Sequence, residues 1–376
     1  MRFIILIIII LLHSTTLKAV DTKAEKAIVI DFNTNEILFE KNADKKIQPA
    51  SMTKIMTVYA AFDRIKNTDL SIDQICIVSP RAYQKEGSTT YLEIDDKISI
   101  KDLLKGIIIQ SGNDASLALA ECLAGTEQDF VKLMNFYSNK LSMLNTNFIN
   151  SHGLPEENHY STVYDIAILS NSLIKDFPNL YKFFNETEFS YNEISQRNRN
   201  YLLNNVEGAD GLKTGFTKKS GWSIAGSALR QDRRITVVLS GTNSKKTRLY
   251  ESSNLINWAF SQTSQKKLLT SGQVIKNIDV WLGNKSTINL IVKNNIISTL
   301  SFDQLQLIKT SISYNKIVSA PIKKGQVLGE MNIIIPGKKN IIVPLIAESN
   351  VNEINPLFKI FAAIKYLIFG TSLDEI

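Results

Sequence analysis

The chain has 376 residues, of which 44% are hydrophobic and 21% charged, proportions typical of a folded globular protein with room for two domains. Lysine and arginine number 43 against 36 aspartates and glutamates, and the scattered charges form no basic patch with interleaved aromatic residues, which argues against nucleic-acid binding. The three histidines and two cysteines lack metal-ligand spacing, so we predict neither a metal site nor a cofactor.

Residues 1–19 have the pattern of a secretory signal peptide. Arg2 precedes an apolar run over 3–12, and a short polar stretch ends in the small residue Ala19. The apolar run is shorter than the roughly 20 residues that span a bilayer, which favours cleavage near Ala19 over an uncleaved anchor. Loss of Arg2 and Lys18 would lower the formal net charge from +7 to +5 and leave an exported, mildly basic protein.

Between residues 20 and 270 the hydrophobic periodicity alternates between helical and strand patterns. Two apolar runs flank the turn 33–35 and predict a β-hairpin over 26–42. Apolar residues at helical spacing predict the helices, including a pair over 99–125 that breaks near 110–113. The other predicted elements are helices 51–65, 127–144, 162–177 and 245–262 and a strand pair over 221–242.

The pattern changes near residue 270. Short β-branched runs separated by turn residues predict a small β-sandwich domain over 271–352. Segment 353–376 returns to helical spacing, and its apolar face consists of Leu357, Ile360, Phe361, Ile364, Leu367 and Ile368. We predict an amphipathic helix that lies on a membrane surface, with a helix docked on the β domain as the alternative.

The two cysteines, Cys76 and Cys122, allow two interpretations. An exported chain can pair them in a disulfide. Two cysteines are not a disulfide framework, however, and Cys122 lies in the apolar run "SLALAECLAG", so a buried free thiol is at least as consistent with the sequence.

The stretch "PASMTKIMT" places Ser51 and Lys54 three residues apart at the predicted start of a helix. Residues at this spacing share a helix face, so the lysine amine can approach the serine hydroxyl. A neutral lysine can activate a serine as a nucleophile, and apolar neighbours such as Met52 and Ile55 would lower the lysine pKa. Alone, this four-residue pattern is weak evidence for catalysis and is better explained by a capping serine with an exposed lysine.

Two further stretches support the catalytic interpretation. "IIQSGNDAS" contains Ser111-Gly112-Asn113 at the break between two predicted helices, and "DGLKTGFT" contains Lys213-Thr214-Gly215 before the predicted strand pair. In this order, the three motifs form the signature of serine penicillin-binding proteins and β-lactamases, with glycine at the middle position of the second motif.

The whole chain resembles the low-molecular-weight D-alanyl-D-alanine carboxypeptidases of the penicillin-binding family. The segments "IIQSGNDAS", "DGLKTG", "HGLPEENHYSTVYD" and "APIKKGQVLGE" carry this resemblance. It implies an α/β (α+β) catalytic domain of the penicillin-binding and β-lactamase type, with an antiparallel sheet and a helical subdomain. We therefore expect a signal peptide (1–19), a catalytic domain (20–270), a β-sandwich domain (271–352) and a C-terminal anchoring helix (353–376).

The resemblance also implies roles for the first two motifs. Ser51 would attack the carbonyl between two terminal D-alanines, and Lys54 would accept its proton. Ser111 would relay a proton to the departing D-alanine with the help of Lys213, whose charge would also lower the Lys54 pKa. Asn113 would hold the peptide.

The remaining implied residues bind substrate. Thr214 and Gly215 would line a strand that pairs with the substrate edge, and the backbone N–H of Phe216 would join that of the nucleophile in an oxyanion hole. Relatives often have a polar residue in place of Phe216. Arg248 is a candidate clamp for the substrate carboxylate, with a solvated helix residue as the equal alternative, and Arg199 is a weaker candidate.

The resemblance favours a carboxypeptidase that acts on peptidoglycan pentapeptides, is inhibited by β-lactams and sits on the periplasmic face of the inner membrane. A DD-endopeptidase shares the motifs and is the nearest alternative. A β-lactamase would need a glutamate-activated water, and Glu156 and Glu157 do not occur in the expected E-x-x-L-N pattern. A catalytically silent wall-binding protein is disfavoured because the predicted nucleophile and base are both present.

Overall fold

The computed structural model describes residues 20–356 together with 358, 360 and 364. The predicted signal peptide, 1–19, and most of the predicted C-terminal helix, 353–376, lie outside the described residues. Within the described part of the chain, no helix is both long enough and apolar enough to cross a membrane.

The described residues form a mixed α and β domain followed by a β domain. The helices are α1 Lys54–Asn67, α2 Pro80–Tyr83, α3 Ile100–Lys105, α4 Asn113–Ala124, α5 Glu127–Lys140, α6 Val163–Asp176, α7 Leu202–Asn205, α8 Lys245–Gln262 and α9 Phe302–Gln306. The strands of the first domain are β1 Lys26–Asp31, β2 Glu36–Lys41, β3 Ile75–Ile77, β4 Lys97–Ser99, β5 Glu188–Tyr191, β6 Ile194–Arg197, β7 Ala209–Thr217, β8 Gly221–Arg230 and β9 Arg233–Thr242. Those that follow are β10 Thr263–Leu269, β11 Val274–Trp281, β12 Thr287–Val292, β13 Ile296–Ser301, β14 Lys309–Tyr314, β15 Ile317–Ser319, β16 Val327–Ile334 and β17 Ile341–Ala347.

A five-stranded antiparallel sheet in the order β2-β1-β9-β8-β7 forms the centre of the first domain. Both of its faces are buried, as the alternation along β1 shows. Ile28 and Ile30 point into the core that α1 and α6 share, whereas Val29 points into a second core with Leu255 and Ile256 of α8. Strand β7 lies at the edge of the sheet, so its outer side is open to an extended ligand.

Helices α1 and α3 to α6 pack around the larger core and form a helical subdomain beside the sheet. The predicted break in the 99–125 helix pair is confirmed. Helix α3 continues as a π-helical turn over Gly106–Gln110, and α4 begins at Asn113. The break lies against α1, which places the second motif next to the first.

The second domain has its own apolar core between a six-stranded sheet, in the order β14-β16-β17-β12-β11-β15, and the pair β10-β13. Strand β10 begins at Thr263, directly after α8, and pairs with β13. We therefore propose that the second domain begins at 263 rather than 271. It contacts the first domain through the ion pair between Lys338 and Glu36, whose Nζ and Oε2 are 2.9 Å apart.

Cys76 and Cys122 form a disulfide that joins β3 to α4, with their Cα atoms 5.6 Å apart. The free-thiol interpretation of the sequence is therefore wrong. Cys76 is buried, whereas Cys122 is only partly buried despite the apolar run around it. The sequence could not show that β3, which pairs with β4, packs against α4 and so brings Cys76 next to Cys122.

Candidate active site

Ser51 lies in a 3-10 turn, Ala50–Thr53, that leads into α1, and Lys54 is the first residue of that helix. The Lys54 side chain is completely buried, and its Nζ lies 3.3 Å from the Ser51 Oγ. The same Nζ donates to the Asn113 Oδ1 at 2.7 Å and to the backbone carbonyl of His152 at 2.6 Å. A neutral amine has two N–H donors and one lone pair. The two carbonyl acceptors use both donors, which leaves the lone pair for the Ser51 hydroxyl.

Electrostatics favour this neutral form of Lys54. Burial is the largest cause that lowers the Lys54 pKa to about 7, and the positive charge of Arg199 lowers it further. The nearby carboxylate of Asp114 acts in the opposite direction and raises it. The amine is therefore neutral in a large fraction of molecules at neutral pH.

Ser111 ends the π-helical turn and adopts a left-handed backbone conformation with φ 67°. This conformation is strained for a residue with a side chain, and such strain clusters at functional sites. The Ser111 hydroxyl is buried and has no hydrogen-bond partner among the described residues. It lines the same cleft as Ser51, so a bound ligand can supply the missing partner.

Asn113 connects the first motif to the loop before α3. Its Oδ1 accepts from Lys54, and its Nδ2 donates to the backbone carbonyl of Glu86 at 2.7 Å. The neighbouring Asp114 carboxylate accepts hydrogen bonds from the backbone N–H of Thr90 and from that of Leu92, so the loop is fixed against α4. The contacts with Lys54 and with the Glu86 carbonyl together define the orientation of the Asn113 amide.

The third motif lies on the edge strand β7, which faces the 3-10 turn of Ser51. Thr214 and Gly215 line the cleft. A Cβ at Gly215 would lie only 3.1 Å from the Pro49 carbonyl oxygen, so glycine permits the close approach of strand and turn.

Lys213 precedes them and is 2% exposed. Its pKa is lowered well below the ordinary value, first by burial and then by the charges of Lys54, Arg199 and Arg248. The expected repulsion between Lys213 and Lys54 is present, and it appears as a lowered pKa of Lys213. The positive charge of Arg199 lowers the Lys54 pKa as well.

Arg248 lies in the first turn of α8, and its side chain enters the cleft. The residue is 4% exposed, so the alternative of a solvated helix residue is wrong. Burial lowers the Arg248 pKa to about 10. Arg199 also lines the cleft, and its Nη1 donates to the Ser88 Oγ at 2.6 Å. Phe216 is half exposed and stacks on Trp222, with ring centroids 4.2 Å apart.

The cleft has a volume of about 520 Å³, and Ser51, Ser111, Thr214, Gly215, Phe216 and Arg248 all line it. Sequence reasoning missed several contributors. The His152 carbonyl and the Asp114 carboxylate act through contacts that no local pattern indicates, although both residues lie in the segments that carry the family resemblance. Trp222 and Lys245 also line the cleft, and only the positions of β8 and α8 bring them there.

Two family profiles match the chain. Residues 13–243 match the peptidase S11 profile, described as D-alanyl-D-alanine carboxypeptidase. Residues 264–353 match the profile of the C-terminal domain of penicillin-binding protein 5. The two matches account for most of the chain and follow each other in the order of the two domains.

Individual relatives agree with the profiles. The D-alanyl-D-alanine carboxypeptidase DacC of Escherichia coli K12 is 36% identical over 347 residues, which are 90% of this chain and 86% of the relative. The structure of penicillin binding protein 5 from Haemophilus influenzae is 32% identical, with a TM-score of 0.77, over 90% of this chain and 100% of that one. Penicillin-Binding Protein D2 of Listeria monocytogenes, in an ampicillin-bound form, is 28% identical with a TM-score of 0.60, over 65% of this chain and 100% of that one.

These matches confirm the predicted family and the predicted fold of the two domains. The chain belongs to the peptidase S11 family of D-alanyl-D-alanine carboxypeptidases, which are low-molecular-weight penicillin-binding proteins.

Proposed function

We propose that the chain is a serine D-Ala-D-Ala carboxypeptidase that removes the terminal D-alanine from peptidoglycan pentapeptide stems through an acyl-enzyme on Ser51. The observation that carries this proposal is the hydrogen bonding of Lys54. Its two N–H groups bind the Asn113 Oδ1 and the His152 carbonyl, and its lone pair remains for the Ser51 hydroxyl. A base held in this way can activate the serine without a histidine.

In the acylation step, the Ser51 Oγ attacks the carbonyl carbon of the penultimate D-alanine while Lys54 takes the hydroxyl proton. The negative charge on the carbonyl oxygen is stabilised by the backbone N–H groups of Ser51 and Phe216. The C–N bond then breaks, and the proton passes from Lys54 through the Ser111 hydroxyl to the departing nitrogen. The unpartnered, buried hydroxyl of Ser111 supports this relay.

In the deacylation step, a water molecule attacks the ester carbonyl and transfers a proton to Lys54. The ester C–O bond breaks, and the Ser51 oxygen regains a proton from Lys54. The products are the shortened peptide and free D-alanine, and the enzyme returns to its starting state.

Substrate binding uses the edge of the sheet and the cations of the cleft. The peptide pairs with β7 at Thr214 and Gly215, and the buried guanidinium of Arg248 binds the terminal carboxylate. Asn113 holds the peptide, and Lys213 assists the proton relay through the Ser111 hydroxyl. Penicillins present a carboxylate next to a reactive carbonyl, so we propose that they acylate Ser51 in the same way and act as covalent inhibitors.

The charges of the cleft disfavour the β-lactamase alternative. No aspartate or glutamate is among the residues that line the cleft in the described part of the chain. Glu156 and Glu157 instead line a separate cavity with Lys46 and Tyr160. Without a carboxylate to activate the deacylating water, a penicilloyl-enzyme should persist.

We further propose that the protein is exported and acts at the periplasmic face of the inner membrane, to which residues 353–376 attach it peripherally. The apolar face of the predicted amphipathic helix supports this location. A chain ending at Asn355 should therefore remain in the soluble fraction and still cleave a small soluble peptide. Full retention of the truncated chain on membranes would contradict the proposed anchor.

The activity is tested with a soluble pentapeptide ending in D-Ala-D-Ala and detection of free D-alanine. Wild-type protein should release D-alanine and should carry one covalent penicillin by mass spectrometry. Ser51→Ala should lose both properties and keep its circular dichroism spectrum, whereas Ser261→Ala, at an exposed serine, should keep both. Absence of D-alanine release by the folded wild-type protein would refute the proposal.

A further inference from the structure

One end of the cleft contains an aromatic ring with two cations. Trp222 of β8 lies beside Phe216, and the side chains of Lys245 and Arg248 both approach its ring. The Lys245 Nζ is 5.2 Å from the ring centroid, and the central guanidinium carbon of Arg248 is 5.6 Å from it. Both distances are within the range of cation–π contacts. The Trp222 ring therefore makes cation–π contacts with two positively charged side chains at one side of the cleft.

The two cations lie at different depths. Arg248 is 4% exposed, whereas Lys245, three residues earlier on α8, is exposed at the rim. In the described part of the chain, neither residue forms a salt bridge, and no carboxylate lines the cleft. The N-terminus of α8 adds further positive potential at this point. A ligand with two negative charges, one deep and one at the rim, would match this arrangement.

We propose that Lys245, held over the Trp222 ring, forms a second anion subsite for a side-chain carboxylate on the leaving residue, so that the enzyme also cleaves peptides in which D-Ala precedes an acidic D-amino acid. This inference rests on the proposed function, in which Arg248 binds the terminal carboxylate. The leaving residue's α-carboxylate lies at Arg248, and its longer side chain extends outward to Lys245. The methyl group of a leaving D-alanine carries no charge and makes no use of the subsite.

The chemistry is unchanged by this substitution of the leaving residue. Ser51 forms the same ester with the D-alanyl carbonyl, and the C–N bond to the acidic residue breaks. The nitrogen of the acidic residue takes the proton that Ser51 gave up. Water then hydrolyses the ester as before, and the products are the same shortened peptide and a free acidic D-amino acid.

The test compares two peptides, diacetyl-Lys-D-Ala-D-Ala and diacetyl-Lys-D-Ala-D-Glu, at low and high salt. The measured quantity is the kcat/KM for the D-Glu peptide divided by the kcat/KM for the D-Ala peptide. At low salt, Lys245→Gln should lower this ratio about three- to fivefold, which corresponds to the free energy of an ion pair near the protein surface. Lys245→Glu should lower the ratio about tenfold or more because it adds repulsion. Both effects should shrink at high salt.

Lys246→Glu is the matched control, because this adjacent lysine is exposed and does not line the cleft. It changes the net charge equally and should leave the ratio unchanged. An equal fall of the ratio in the Lys245→Glu and Lys246→Glu variants would overturn the subsite, as would undetectable cleavage of the D-Glu peptide by wild-type enzyme. Failure to cleave the D-Ala peptide would instead refute the proposed function itself.

Discussion

Acylation of Ser51 should rise with pH through a midpoint near 7, because only the neutral Lys54 amine can accept the hydroxyl proton. The Lys54 pKa of about 7 makes half of the amines neutral at pH 7. A lysine with its ordinary pKa would be neutral in roughly one molecule in three thousand at that pH. With the lowered pKa, the rate of acylation should rise about tenfold between pH 6 and pH 8.

The assay is the second-order rate constant for labelling by a fluorescent penicillin, measured from pH 5 to pH 9. Lys246→Gln, at an exposed lysine, should have the profile of the wild type, and Lys54→Gln should label very slowly at every pH. Arg199→Gln should raise the midpoint, because a neighbouring positive charge disfavours the protonated amine and its removal favours it. The midpoint belongs to the coupled amines of the cleft rather than to a single group.

A rate that is constant between pH 6 and pH 8 would refute the role of Lys54 as the base, as would a midpoint above pH 9. A midpoint near 7 that is unchanged in Arg199→Gln would retain the base and reject Arg199 as the charge that tunes it.

Three further predictions concern single features of the chain. Arg248→Gln should lower kcat/KM for a D-Ala-D-Ala peptide roughly tenfold to a hundredfold, mainly through KM, because a charge-assisted hydrogen bond contributes about 1.5–3 kcal/mol; an unchanged KM would reject the carboxylate clamp. Replacing Cys76 and Cys122 by alanine together should lower the free energy of unfolding by up to about 4 kcal/mol, since the disulfide closes a sequence separation of 46 residues; urea denaturation of both proteins measures the difference. Gly153→Ala should destabilise the fold by about 1–3 kcal/mol and slow penicillin labelling, because its φ is +85° and the new Cβ would clash with the backbone carbonyl oxygen of Ala50, next to Ser51; thermal unfolding at the wild-type midpoint would contradict this.

Local patterns predicted the features that depend on local physics. The hairpin β1-β2, the helix that begins at Lys54 and the break before Asn113 follow from periodicity and turn residues, and all three are present. Helical spacing also predicted that Ser51 and Lys54 share a face. The spacing alone could not separate a buried lysine from an exposed one, because burial depends on α4 and on the His152 loop packing over the amine.

The features that the sequence could not provide depend on distant segments. Arg199 is a further electrostatic partner of Lys54 besides the expected Lys213, and it lies in a loop without a recognisable motif. The disulfide depends on the pairing of β3 with β4, and the burial of Arg248 depends on α8 packing against the sheet. In each case the sequence identified the charged or thiol side chain, but its partner or its burial depends on segments that only the tertiary fold brings together.

Buried cations elsewhere in the first domain differ from those of the cleft in one respect. Arg234 is largely buried on β9, and its guanidinium forms a bidentate pair with the Asp210 carboxylate at 2.7 and 2.8 Å. Lys54, Lys213 and Arg248 are buried to a similar or greater extent, and none of them forms a salt bridge with a described residue. Burial of unpaired charge is unfavourable, so the two lysines respond by a lowered pKa, and the arginine requires an external anion. We propose that this lack of a carboxylate partner serves two purposes in the cleft, because it gives Ser51 a neutral base in Lys54 and leaves Arg248 to bind the substrate carboxylate.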